Sequence, residues 1–133
     1  MKPKKILVLE DDRLTRVVIC EILKSAGYEV VSAAEAAAAV RIARQEEPDL
    51  ITLDIVLHAE SPAEMSDGLR VGAWLNRFGS DHKKPKIIVI SSLDPKRVTG
   101  GIAATQPFTF LPKPVEKAKL LAAVAEALSA PDA

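Results

Sequence analysis

Apolar residues in this chain switch repeatedly between short unbroken runs and longer stretches with the 3.6-residue period of a helix, and this alternation constrains the fold more than any other feature. The short runs fall at residues 6–9, 28–32, 50–53, 87–90 and 108–111, and helical stretches at 14–25, 34–45, 68–78, 95–104 and 115–128. Five strand–helix pairs in sequence predict a parallel sheet covered on both faces. The first, third and fourth runs carry apolar residues on both faces, as interior strands must when helices pack on either side. Gly27 closes the first helix, and Gly100-Gly101 interrupts the fourth at a cost of about 1 kcal/mol per glycine relative to alanine. Leu120, Leu121, Val124 and Leu128 recur at helical spacing and are read as core contacts.

Length and charge narrow the function classes. A chain of 133 residues buries a sufficient core without metals or disulfides, so one domain over residues 1–133, with its core at 4–128, is expected. Eighteen basic residues balance eighteen acidic ones, leaving no net field to draw the protein onto nucleic acid or an anionic membrane. Lys83-Lys84-Pro85-Lys86 is too short to act as a nucleic-acid footprint. No run approaches the roughly 20 apolar residues that cross a bilayer, and the start of the chain does not read as a signal peptide. A cytoplasmic protein that contacts neither membrane nor nucleic acid is expected. Cys20, the single cysteine, lies in an apolar helical pattern and is read as core.

In an open parallel sheet, ligands bind beyond the carboxyl ends of the strands, where strand order reverses. Glu10-Asp11-Asp12 follows the first strand, Asp54 the third and Ser91-Ser92 the fourth, while Lys113 stands one residue beyond Pro112 after the fifth. Each alone is weak, since Asp11 or Asp12 could simply cap a helix. Together they deliver carboxylates, a hydroxyl and an ammonium to one edge.

These pieces resemble the receiver domains of two-component response regulators. The likeness runs from Lys4 to about Leu128 and rests on ILVLEDD with Arg16 after it, PDLITLD ending at Asp54, IIVISS ending at Ser91-Ser92, and FLPKP containing Lys113-Pro114. The resemblance implies a flavodoxin-like three-layer α/β fold, with a five-stranded parallel sheet of order 2-1-3-4-5. It makes Asp54 the phosphoacceptor. Glu10, Asp11, Asp54 and the backbone carbonyl of Val56 become ligands of Mg²⁺, Ser91 the hydroxyl that binds the phosphoryl group, and Lys113 its cationic partner. Phe110 takes the place of the aromatic switch residue that moves with Ser91. Implied partners are a sensor histidine kinase or histidine phosphotransfer protein upstream and a protein target downstream. The family catalyses only its own Mg²⁺-dependent phosphorylation and dephosphorylation.

The chemistry is consistent with that assignment. Carboxylates crowded at one edge raise each other's pKa unless a cation compensates, and Mg²⁺ prefers such oxygen ligands. An aspartate with a reference pKa of about 3.9 is ionised at neutral pH and attacks phosphorus without a base. There are departures from the family pattern. Thirteen residues, 55–67, separate Asp54 from Gly68, more than is usual, and His58 stands where a proline is common. His58 and His82 are read as loop histidines, and Trp74 as core beside Val71, Leu75 and Phe78. With no output domain following, the signal is expected to pass by protein binding, unless the chain is cut from a longer regulator. One alternative is a receiver-like interaction module that works without phosphorylation. An aspartyl phosphatase would need a second aspartate soon after Asp54, where Ile55-Val56 stands. A flavin protein would need a phosphate-cradling loop where Glu10-Asp11-Asp12 stands.

Overall fold

The computed structural model describes residues 3–54, 85–91 and 109–129. In chain order these form β1 (Lys5–Leu9), α1 (Arg13–Ser25), β2 (Glu29–Ala33), α2 (Ala36–Glu46), β3 (Leu50–Leu53), β4 (Lys86–Ser91), β5 (Thr109–Pro112) and α3 (Lys117–Ser129). The helices expected at 68–78 and 95–104, together with His58, Trp74 and Gly100-Gly101, lie outside the described residues. So do Val56 and the side chain of Ser91.

All five strands are parallel in one sheet of order β2-β1-β3-β4-β5. This is the order that the resemblance implies, and the pleat shows why β1, β3 and β4 lie inside it. Successive side chains on a strand face opposite sides. On β1, Leu7 and Leu9 join Ile51, Leu53, Ile87 and Val89 in a cluster that packs on Ala39 and Ala43 of α2. Ile6 and Val8 face the other way and join Leu50, Ile88 and Ile90 beneath Ile19, Cys20 and Leu23 of α1 and Leu120 and Val124 of α3. β1 and β3 therefore carry apolar side chains on both faces because both faces are covered. β2 and β5 lie at the edges, where Pro112, which has no N–H to donate, ends β5 without breaking an interior ladder.

The observed ends differ from the expected ones by one to two residues, for identifiable reasons. Tyr28 belongs to the end of α1 and not to β2: its N–H donates to the Leu23 carbonyl while Gly27 N–H donates to Lys24, with Gly27 at φ +95°. That is a Schellman closure, which uses glycine because L side chains avoid positive φ. α2 begins at Ala36 because Glu35 is extended, at φ −137° and ψ 151°. α3 begins at Lys117 because Leu120 N–H makes its bond to the Glu116 carbonyl. Asp12 is the N-cap of α1, accepting from the Thr15 N–H at 2.9 Å. Among the described residues no helix is long and apolar enough to cross a membrane.

Candidate functional site

β1 and β3 are neighbours, but the chain leaves them toward opposite sides of the sheet: β2 pairs on one flank of β1 and β4 on the far flank of β3. The crevice opened by that divergence lies beyond their carboxyl ends. Glu10 is fixed there by continuation of the ladder, its N–H donating to the Ala33 carbonyl at 3.1 Å and its own carbonyl accepting from Arg16 Nη1 at 3.0 Å. Asp54 is fixed in the same way, its N–H donating to the Leu9 carbonyl at 3.1 Å. Both carboxylates are buried, with Glu10 1% and Asp54 4% exposed. Asp11 is exposed at the mouth, and the three groups each offer an oxygen within 4.8 Å of the others.

Two buried carboxylates side by side require compensation, because desolvating a charge without a partner costs several kcal/mol. Lys113 supplies part of it. From the turn after β5, its Nζ donates to Glu10 Oε1 at 2.6 Å and to Asp54 Oδ2 at 3.1 Å. The Lys113–Pro114 peptide bond is cis. Among the described residues one ammonium faces these three carboxylates, and the effect of their crowding falls on Glu10. Burial, then the hydrogen bond and charge of Asp54, push the Glu10 carboxyl up to about 8, against the opposing pull of Lys113. Burial by itself lowers Lys113, but its hydrogen bond to Glu10 and the charge of Asp54 outweigh that and hold the ammonium above its ordinary value. Asp12 stands apart: the hydrogen bonds from Thr15 hold its carboxyl low, as suits a helix cap.

Glu10 Oε2 is buried with no donor facing it among the described residues. A proton on Glu10 satisfies the pair by bonding toward Asp54. A divalent cation would satisfy it as well, and would also offset the remaining negative charge. The donor set is all oxygen, which suits a hard cation such as magnesium or calcium better than the softer transition metals.

Of the residues singled out from sequence, the structure brings together Glu10, Asp11, Asp54 and Lys113. Ser91 is the last residue of β4, opposite Pro112 in the register, which places its backbone at the same edge. Phe110 lies on β5 opposite Val89 and packs, half-buried, against the cluster under α2. Cys20 is buried in the core, where burial raises its thiol pKa. Sequence reasoning placed Lys113 toward a phosphoryl group and missed that it bridges Glu10 and Asp54 directly. The signal was present: Lys113 is the single cation among the residues just beyond the strand ends.

Residues 6–125 match the family model described as "Response regulator receiver domain". Among curated proteins, the chain is 33% identical over 73 residues to the polar-differentiation response regulator DivK of Brucella anthropi, covering 55% of this chain and 54% of that protein. It is 31% identical over 129 residues to the transcriptional regulatory protein GlrR of Escherichia coli K12, covering 96% of this chain and 27% of GlrR. The chain thus spans about half of the first relative and about a quarter of the second. Among solved structures, the receiver domain of the sensor histidine kinase PA1611 from Pseudomonas aeruginosa superposes with a TM-score of 0.78 at 22% identity, covering 97% of this chain and 100% of that one.

Proposed function

Because the chain belongs to the response-regulator receiver family, we propose that it is a phosphorylation switch in which Asp54 accepts the phosphoryl group. The observation that carries this proposal is Lys113 Nζ bridging Asp54 and Glu10 beside exposed Asp11, which gathers a nucleophile, a cation and two further carboxylates at one crevice. An Asp54 oxygen attacks phosphorus in line. The new bond is P–O to the carboxylate, and the bond to the donor's leaving group breaks, that group departing with the electron pair. Charge then develops on the equatorial phosphoryl oxygens. Lys113, already in contact with Asp54, turns its ammonium toward them, and the Ser91 hydroxyl donates to another.

Glu10, Asp11, Asp54 and the Val56 carbonyl would hold Mg²⁺, which when bound neutralises phosphoryl oxygen charge. That ion is the one coordinated in the active-site cleft of the PA1611 receiver. Glu10 must give up its proton to act as a ligand, so burial of this side chain links ion binding to pH. The donor is a sensor histidine kinase or a histidine phosphotransfer protein, and the output is a protein target contacted in the cytoplasm. Residues 1–133 act as one receiver domain.

Incubation with acetyl phosphate and Mg²⁺ followed by intact-mass measurement tests the proposal. The expected result is one added phosphoryl group, labile to base and hydroxylamine, which Asp54→Asn abolishes. Unchanged labelling of that variant refutes the assignment. No labelling of the parent would favour an interaction module that works without phosphorylation.

A further inference from the structure

Arg16 is half-buried on α1, and its bonds go to the backbone of the acidic turn, not to the carboxylates of the crevice. Its Nη1 donates to the Glu10 carbonyl at 3.0 Å, and its N–H donates to the Asp12 carbonyl at 2.9 Å. These two carbonyls flank Asp11. The first of them needs a donor, because Glu10 is buried and a buried carbonyl without a partner is costly. Glu10 N–H still follows the ladder to Ala33, the last residue of β2. The next donor along that ladder would be the amide of Glu35, but Glu35 is the N-cap of α2, and the Arg16 guanidinium takes its place.

The peptide that joins Glu10 to Asp11 is planar, so a bond that fixes its carbonyl also fixes the direction in which the chain enters Asp11. This matters for Asp11 in particular. Its side chain is exposed and makes no bond among the described residues, so the turn backbone alone aims it. The oxygens of Glu10, Asp11 and Asp54 lie within 4.8 Å of one another. Magnesium needs them at about 2.1 Å from its centre in near-ideal octahedral directions, which leaves little tolerance for a turn that swings.

We propose that Arg16 is a positioning residue for the cation site: its guanidinium fixes the Glu10–Asp11 peptide and so holds Asp11 where it completes the oxygen set with Glu10 and Asp54. This inference rests on the reading of those three carboxylates as Mg²⁺ ligands. Charge and position give opposite signs when Arg16 is removed. Arg16 is a cation near a cation site, so loss of its charge alone would tighten Mg²⁺ binding. Loss of the anchor weakens binding, because Asp11 must then be ordered by the ion itself.

A Mg²⁺ titration of the whole chain, followed by the amide shifts of Asp11 and Asp54, decides between them. The expected result is that Arg16→Met, which keeps the apolar stem but neither charge nor donor, weakens Mg²⁺ affinity by about tenfold or more, as loss of a group that orients a ligand does. Arg16→Gln, uncharged and shorter, should lose affinity in the same direction and serves if the Met variant does not fold, as circular dichroism of the metal-free proteins will show. In an Asp11→Asn background the same exchanges should cost much less, since the ligand that Arg16 aims is already impaired. Affinity unchanged or raised in the Arg16 variants overturns the inference, and so does an equal loss in both backgrounds. A parent whose amides do not respond to Mg²⁺ overturns the reading of the carboxylates as ligands, and this inference with it.

Discussion

Glu10 carries the cost of the crowded edge. Its carboxyl is pushed from 4.5 up to about 8, first by burial and then by Asp54, so the metal-free protein holds a proton there through the neutral range. The sign follows from linkage. A group whose folded pKa is raised contributes stability fully present below its unfolded value, here about 4.5, and lost as pH rises through about 8. Melting temperatures of the metal-free protein should therefore fall across that interval. Mg²⁺ affinity should rise across it, with a proton released on binding at pH 7. Calorimetric titration in buffers of different ionisation heat measures that release, and no dependence on buffer would contradict the account. Repulsion among Glu10, Asp11 and Asp54 was legible in sequence, because three acidic groups follow two strands that share an edge. That burial outweighs repulsion was not, since burial depends on how closely the neighbouring elements close over Glu10. Which of Asp11 and Asp12 caps the helix was left open by the sequence, since either has that local role available, and the Thr15 N–H bond assigns it to Asp12.

Among the elements, the α1–β2 connection depends on a single backbone conformation. Gly27 sits at φ +95°, and a Cβ built there would meet nothing within 4 Å. Gly27→Ala thus changes conformational preference without a clash. It should lower unfolding stability by about 1 kcal/mol, the cost of holding an L residue at positive φ, as read from urea denaturation; no change would mean that the turn readjusts freely. Gly27 as the end of the first helix was legible because glycine follows the last periodic residue. The starts of β2 and α3 were not, since Tyr28 is apolar enough to extend a strand and Val115 to begin a helix. Backbone hydrogen bonds decided both: Tyr28 is used in closing α1, and Glu116 supplies the first carbonyl of α3.

For the molecule as a whole, the interior place of β1 and β3 was legible because Ile6–Leu9 and Leu50–Leu53 lack the polar alternation of a one-sided strand, and the structure buries both faces, while the strand order was legible only through the family resemblance. The exposed side of α1 was not legible. Val17, Val18, Ile19 and Ile22 spread around more than one face, and only the position of the sheet shows which are covered. The same sheet joins the site to β5. Ser91 ends β4 opposite Pro112, Lys113 follows, and Phe110 lies two positions back opposite Val89. A phosphoryl oxygen on Asp54 that draws in the Ser91 hydroxyl gains a charge-assisted bond of about 1.5–3 kcal/mol, enough to shift a minor conformation toward parity. Amide shifts with beryllofluoride should therefore spread from Asp54 through residues 109–115, and Ser91→Ala should confine them. Perturbations limited to Asp11 and Asp54 in the parent would place the output elsewhere. Everything rests on which carboxylate takes the phosphoryl group. After labelling with acetyl phosphate and Mg²⁺, borohydride reduces an acyl phosphate to an alcohol, and peptide mass mapping then identifies the side chain that carried it. Reduction is expected at Asp54 alone; reduction at Glu10, Asp11 or Asp12 would overturn the assignment of Asp54 as the phosphoacceptor.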